Sequence, residues 1–250
     1  MIKVSQQQRL EASTKPASPL LEINQVSLSL QGCPILQNVQ FSMQEGEWVS
    51  VNIEEGLAGH ALARLITREY EPSGGKVFFL GTLLQQWQGQ ELMCRRCVLP
   101  SRWCSPLRGT VAEVVEQGIW LSAAEVRHRL RRELLELLEL QELAEACYLE
   151  QPERVRQLAL LARVLAQVWD HPGPRLVVID QGLSALSADD MHLLLGRLKH
   201  FLRRQNIAFL VLWQQADAEP PQWADQQWQL NRSGLHRAPD REARWWRFWQ

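Results

Sequence analysis

The sequence has little net charge and no long apolar run. Its 27 basic and 28 acidic residues give a formal net charge of −1, so no overall field would attract nucleic acid. No apolar stretch approaches the ~20 residues of a membrane-spanning helix. The start of the chain, residues 1–10, lacks the apolar core of a secretory signal. We therefore expect a cytoplasmic protein without a nucleic-acid partner.

The cysteine content argues against a disulfide framework and against a metal site. There are 5 cysteines, an odd number in a long chain. Cys94, Cys97 and Cys104 have part of the spacing of a zinc site, but no fourth ligand follows at a matching distance. The sequence therefore predicts reduced thiols and no bound metal.

The overall composition is that of an ordinary folded protein. The 250 residues are 46% apolar and 22% charged, which is enough for a substantial core. We expect one domain over residues 20–235, after a flexible polar leader at 1–19. In the tail at 236–250, Arg alternates with Trp and Phe. This pattern is typical of membrane or protein interfaces and equally of aromatic side chains that fold back onto a domain.

The apolar pattern of several segments predicts strands. Alternating residues in 21–30 and 35–43 indicate an antiparallel pair. The segment 48–53 follows a turn and has a strand-like composition, and the continuous apolar runs at 175–180 and 207–213 are typical of strands buried on both faces. Together they predict an α/β fold with a central, mostly parallel sheet and an antiparallel β subdomain.

The middle of the chain has a helical pattern. We expect a helical insert at about residues 100–165, with a capping box formed by Ser122 and Glu125. A second helix is predicted to begin at Pro152, because proline is favoured in the first turn. Ser187 is predicted to cap a further helix between the two apolar strands.

Several of these segments, in this order and at these distances, resemble the ATP-binding subunit of ABC transporters. The strongest match is the helical segment 161–167, followed by the buried strand that ends at Asp180 and by the segment 184–186. The resemblance covers roughly residues 20–230 and is greatest to the subunits of haem and iron-siderophore importers. It implies a P-loop NTPase-like ABC ATPase fold, ATP and Mg²⁺ as the family's ligands, a membrane permease subunit as partner and a dimer.

The family's phosphate loop is degenerate in this sequence. Its first glycine falls on Ile53, its lysine on Gly59 and its Mg²⁺-binding hydroxyl on His60. Two carboxylates, Glu54 and Glu55, stand within it. Each carboxylate close to a phosphate would be repelled by about 1 kcal/mol or more. The loop occupies the following positions: Ile53, Glu54, Glu55, Gly56, Leu57, Ala58, Gly59, His60 and Ala61.

The resemblance places other family contacts on residues of the wrong type. The catalytic carboxylate falls on Gln181, the switch histidine on Gln214 and the Q-loop glutamine near Ser101. An amide cannot take a proton from the attacking water. The adenine-stacking aromatic falls near Leu28, whereas Asp180 is retained.

The segments that the family uses across its dimer are also altered. The signature sequence falls on residues 151–155, where proline and arginine replace the glycine backbone and the serine. The aspartate of the D-loop falls on Ser187.

From these substitutions the sequence predicts a pseudo-ATPase, with no cofactor expected. Its role would be structural or regulatory, at a membrane permease or beside another ABC ATPase subunit, peripheral to the inner membrane. One alternative is an active ATP-hydrolysing importer subunit with a rearranged site, in which His60 or a nearby Arg replaces the lysine. Another is a soluble protein-interaction module unrelated to transport.

Overall fold

The computed structural model describes residues 18–101, 107–119, 123–169, 171–214, 221–231 and 234–238. Almost all of the predicted leader and of the Arg- and Trp-rich tail lies outside these ranges, as do Ser122 and Cys104. Within the described residues, no helix combines the length and the apolarity that crossing a membrane would require.

Four strands from the first third of the chain form an antiparallel sheet, in the order β2-β1-β4-β5. The predicted strand pair is confirmed, although its second strand begins two residues earlier than expected, at Cys33. Gln31 and Gly32 make the turn with positive φ angles of 50° and 81°. The strands are β1 (Leu21–Leu30), β2 (Cys33–Met43), β4 (Gly74–Phe79) and β5 (Thr82–Leu83).

A six-stranded sheet forms the centre of the molecule, in the order β10-β9-β3-β8-β7-β6. Neighbouring strands are parallel except β9 and β10, as the sequence predicts for a mostly parallel sheet. Every residue of β7 and β8 is buried, which explains their continuous apolar sequences. The strands are β3 (Trp48–Ile53), β6 (Arg96–Pro100), β7 (Arg175–Asp180), β8 (Ile207–Trp213), β9 (Gln226–Asn231) and β10 (Gly234–Arg237).

Six α-helices lie within the described residues, and the predicted helical insert is among them. The predicted capping box at Ser122 is wrong, because the helix has Ala123 as its N-cap and Glu125 therefore sits one position too early to complete the box. A capping box is found instead at Thr110 and Glu113. The helices are α1 (Gly56–Ile66), α2 (Gly89–Arg95), α3 (Val111–Glu116), α4 (Ala124–Leu137), α5 (Glu153–Trp169) and α6 (Ala188–Leu202).

The central sheet separates two apolar cores. Along β7, Leu176 and Val178 face the antiparallel sheet and α1, whereas Val177 and Ile179 face helices α3 to α6. This alternation follows from the two-residue repeat of a strand. The sheet is therefore the rigid layer from whose edge the loops project.

Two buried arginines, the first residues of β6 and β7, donate hydrogen bonds to the carbonyls at the ends of two helices. Arg175 donates to the carbonyls of Val168 and Trp169, at 2.8 and 2.6 Å, at the end of α5. Arg96 donates to the carbonyls of Ile66 and Thr67 at the end of α1, and burial lowers its pKa to about 10. These guanidinium groups satisfy carbonyls that have no partner within a helix.

Candidate functional site: a substituted phosphate loop

The predicted site residues meet at one edge of the central sheet. Strands β3, β6, β7 and β8 are parallel, so the loops after their carboxyl ends emerge side by side. Gly56, Gln181 and Gln214 converge there: a Cβ built on Gly56 would lie 3.6 Å from Gln181 Nε2 and 3.8 Å from Gln214 Oε1. Ser101 follows β6 at the same edge, next to the bridge between Pro100 and Gln181.

The loop between β3 and α1 consists only of Glu54 and Glu55. The Glu54 N–H continues the sheet by donating to the Leu230 carbonyl at 3.0 Å, and the Ala58 N–H donates to the Glu55 carbonyl at 3.0 Å. A phosphate loop requires such N–H groups to point together at an anion. Here both N–H groups have protein acceptors, and two carboxylates occupy the turn.

The side chain of Ile53 fills the space beside Gly59. A Cβ built on Gly59 would lie 2.2 Å from Ile53 Cδ1 and 3.0 Å from its Cγ1, so any side chain at this position would force Ile53 to shift. Ile53 is only 1% exposed and belongs to the core beneath α1. The loss of the family's lysine and the loss of its first glycine are therefore one packing event, a link that sequence comparison position by position misses.

The two ring nitrogens of His60 are hydrogen-bonded to Asp180 and to Arg64. Its Nδ1 lies 2.5 Å from Asp180 Oδ2, and its Nε2 accepts a hydrogen bond of 2.8 Å from Arg64 Nε. Because Nε2 accepts, the ring proton lies on Nδ1 and is donated to Asp180. Arg64 in turn donates from Nη1 to Glu69 Oε2 at 2.7 Å.

The four residues Asp180, His60, Arg64 and Glu69 form what we call the latch. Sequence reasoning identified only the first two. A signal for the third was available, because residues four apart on one helix, such as His60 and Arg64, are neighbours. Glu69 lies beyond the end of the helix, and only the folded chain shows that it closes the network.

The carboxyl group of Asp180 lies in an unusual environment. Its side chain is 2% exposed, and burial raises its pKa, whereas the hydrogen bond from His60 and the charge of Arg64 oppose that rise. Its Oδ1 has no hydrogen-bond partner among the described residues. A buried carboxylate oxygen without a donor is costly, so the contact with His60 is the principal polar support of this acid.

Two glutamines stand at the positions to which the resemblance assigns the family's base and its switch. Gln214 Nε2 donates to the Glu54 carbonyl at 3.3 Å, so this side chain is attached to the substituted loop. Gln181 has a positive φ of 53° directly after β7, and its N–H donates to the Leu212 carbonyl at 3.0 Å. A carboxamide has no lone pair basic enough to activate water.

The start of α5, which follows the segment assigned to the family's signature, is hydrogen-bonded to the loop after β7 and to α6. Gln157 is 4% exposed, and its amide donates to Ser184 Oγ at 3.2 Å and accepts from the Ala185 N–H at 2.9 Å. Arg154 pairs with Asp190 at 3.0 Å, which joins the starts of α5 and α6. Sequence reasoning missed Gln157, because a polar residue within an apolar helix gives no sign of its partner.

The remaining predicted positions serve the scaffold. Ser187 caps α6 by accepting from the Asp190 N–H at 3.2 Å, as predicted. Leu28, at the position of the adenine-stacking aromatic, is 3% exposed and belongs to the core. Cys97 is a buried free thiol whose pKa burial raises to about 12, so it remains protonated at neutral pH.

The residues at this edge do not fit a nucleotide triphosphate with Mg²⁺. A lysine at position 59 would overlap Ile53, His60 and Asp180 are bonded to each other, and the turn carries two carboxylates. Among the residues that the structure describes, the arginine of the latch, Arg64, is paired with Glu69 and His60 rather than directed into the loop. We therefore derive no step of ATP hydrolysis from it.

Comparison with known proteins gives relatives that are named for hemin import. No family model matches the chain. It is 28% identical over 199 residues to the hemin import ATP-binding protein HmuV of Gloeobacter violaceus, covering 77% of this chain and 72% of that protein. It is 29% identical over 197 residues to HmuV of Pseudomonas entomophila, covering 77% and 76%.

Comparison with solved structures gives the same fold. A nucleotide-free ATP-binding cassette from an ABC transporter superposes with a TM-score of 0.73 over 93% of this chain and 96% of that one. The identity in that pair is 16%, so the match concerns the fold alone.

Proposed function

We propose that this chain, which has the ABC ATPase fold and is similar to hemin import ATP-binding proteins, is a pseudo-ATPase with a structural or regulatory role at a membrane permease. The observation that carries the proposal is the latch, together with Ile53 packed on Gly59. These contacts use the chain's own side chains where a phosphate-binding site would need a cation and an open loop.

Electrostatics supports the same proposal. Glu54 and Glu55 are exposed in the turn, and each would repel a bound triphosphate by about 1 kcal/mol or more at close range. Two basic side chains, His60 and Arg64, stand on the helix that follows the loop, and they are bonded to Asp180 and Glu69 respectively. An active site that uses either of them would first have to break these bonds.

The relatives suggest where such a subunit works. Both are named for hemin import, so we propose the import of haem or of a ferric siderophore as the process to which this chain belongs. Its partner would be a permease subunit or another ABC ATPase subunit, at the cytoplasmic face of the inner membrane. The ABC-like domain would span residues 20–235, with the leader and the tail outside it.

Calorimetric titration with Mg²⁺ and a nonhydrolysable ATP analogue tests the proposal. We expect no binding heat at millimolar nucleotide. A dissociation constant in the micromolar range would overturn the proposal and favour the active alternative.

A restored loop provides the matched control. The variant Gly59→Lys/His60→Ser/Gln181→Glu should still fail to bind, because the new lysine meets Ile53. Adding Ile53→Gly should allow measurable binding if the loop alone was at fault. If the first variant already binds nucleotide, the packing of Ile53 is not the obstacle that we describe.

The interaction-module alternative is tested by a different measurement. A chain that acts at a permease should sediment with membranes that contain its permease and should be released from them as a complex. A chain that remains monomeric and never accompanies membranes would favour a role unrelated to transport.

A further inference from the structure

A pocket of about 350 Å³ opens at the carboxyl edge of the central sheet, beside the substituted loop. Its floor is formed by the ends of β7 and β8, at Ile179 and Val211, and one wall by the start of α6 at Ala188 and Met191. The loop that follows β7 completes it. Crevices in this position, outside the carboxyl ends of parallel strands, are where α/β sheets generally hold ligands.

The polar groups of the pocket are amides and a hydroxyl. Gln181, Gln214 and Ser184 line it, and none of its lining residues carries a charge. Ser184 Oγ accepts from Gln157, so its own proton remains to be donated. Gln214 uses Nε2 on the Glu54 carbonyl, and its Oε1 lies toward Gly56 at the mouth of the site.

This set of groups selects the chemistry of a ligand. Donors and acceptors are both present, so a ligand that carries both, such as a carboxamide or a lactam, can satisfy them together. A carboxylate or an ammonium group would be desolvated against Leu183, Met191 and Val211 without an opposite charge among the lining residues. Trp213 contributes its ring, since its Nε1 is already bonded to Ser50 Oγ at 2.8 Å.

We propose that this pocket binds a small, neutral, planar molecule with a carboxamide or lactam edge, which Gln181 and Gln214 hold while the apolar walls receive its body. The pocket adjoins the phosphate loop and shares Gln181 and Gln214 with the candidate site, and its proposed ligand does not depend on the absence of ATP binding. A ligand there would contact the two glutamines that converge on Gly56, and it would thereby lie next to the substituted loop.

The methionines allow a direct test on the full chain. Of its 4 methionines, Met191 lines the pocket, whereas Met43 is buried in the antiparallel half and Met93 is exposed on α2. With ¹³C-methyl-methionine labelling, benzamide should shift the Met191 signal, assigned with Met191→Leu, and leave Met43 and Met93 unchanged. We expect a dissociation constant on the order of 1 mM, as for other fragments of this size.

Benzoate and toluene serve to distinguish recognition of the amide group from non-specific binding to the apolar walls. Benzoate has the same shape with a charge, and toluene lacks the amide, so both should bind at least about tenfold more weakly than benzamide. Gln181→Leu should abolish the preference for benzamide, whereas Gln85→Leu, at an exposed position near β5, should not. Equal binding of benzamide and benzoate, or shifts at Met93 as large as at Met191, would overturn the proposal even if the Gln181 variant did not fold. Nucleotide titration of the same samples shows separately whether the pseudo-ATPase proposal holds.

Discussion

Strands β7 and β8 are almost entirely apolar and buried. The loops at their carboxyl ends instead carry Gln181 and Gln214, at the positions to which the resemblance assigns the acid and the histidine of an ABC ATPase. The strands are buried along their whole length, and their side chains alternate between the apolar cores on the two faces of the sheet. Of the loop residues, Gln214 donates to the Glu54 carbonyl, whereas Gln181 donates its N–H to the Leu212 carbonyl and forms a bridge with Pro100. Adjacent residues can thus be limited in their residue type by different causes. Burial limits the strands to apolar side chains, whereas the loop residues are limited by their polar contacts and by the chemistry of a ligand.

The largest effect is expected in the scaffold. Phe209→Ala in β8 removes a fully buried ring that stacks on Trp48 with centroids 3.9 Å apart. We expect the free energy of unfolding to fall by about 3–5 kcal/mol, because a cavity is added to the lost transfer energy. Urea unfolding measures it, with Phe201→Ala, half-exposed on α6, as the control. A loss below about 1 kcal/mol would mean that the core is looser than its burial indicates.

A smaller effect is expected where scaffold and loop meet. Gly59→Lys places a side chain against Ile53 and should lower the free energy of unfolding by about 1–3 kcal/mol. If the overlap is the cause, Gly59→Lys in an Ile53→Gly background should cost clearly less than in the wild type. A double-mutant cycle over the two positions measures that coupling, and additive losses would contradict it.

The latch should show itself as a pH dependence. Burial raises the pKa of Asp180 above its ordinary value of 3.8, so the folded protein binds this proton at a higher pH than the unfolded chain does. The free energy of unfolding therefore falls, on account of this group, as the pH rises from about 3.8 through the raised folded value. Asp180→Asn removes that slope. The free energy of unfolding of the wild type minus that of the variant should therefore decrease as the pH rises. Asp189→Asn, at an exposed position of α6, is the control, and a difference that grows with pH would reverse our sign.

The smallest effect is expected at the surface of the degenerate signature segment. The Arg154 and Asp190 side chains are 54% and 37% exposed, so their ion pair is well screened by solvent. Arg154→Ala should change the free energy of unfolding by no more than about 0.5 kcal/mol in thermal or urea unfolding. A loss several times larger would mean that this segment is part of the scaffold rather than of the freely substituted edge.

Much of the fold could be predicted from periodicity because its strands and helices are long and well patterned. The antiparallel pair, the two buried strands and the helix from Glu153 to Trp169 lie within two residues of the predicted bounds. The capping box was the exception, since the same short pattern occurs at Ser122 and at Thr110 and only packing determines where a helix begins. The resemblance to ABC ATP-binding subunits likewise rested on the order and distance of these segments.

The residue types alone show which chemical groups stand at the carboxyl edge: two carboxylates, two carboxamides, a histidine and a retained aspartate. The contacts that these groups make with one another are visible only in the folded chain. It brings His60 to Asp180 across 120 positions of chain, lays Ile53 on Gly59, and leaves a pocket beside the loop rather than within it. The physical reason is that hydrogen bonding and packing act over a few ångströms, and distance along the chain says little about which side chains come that close.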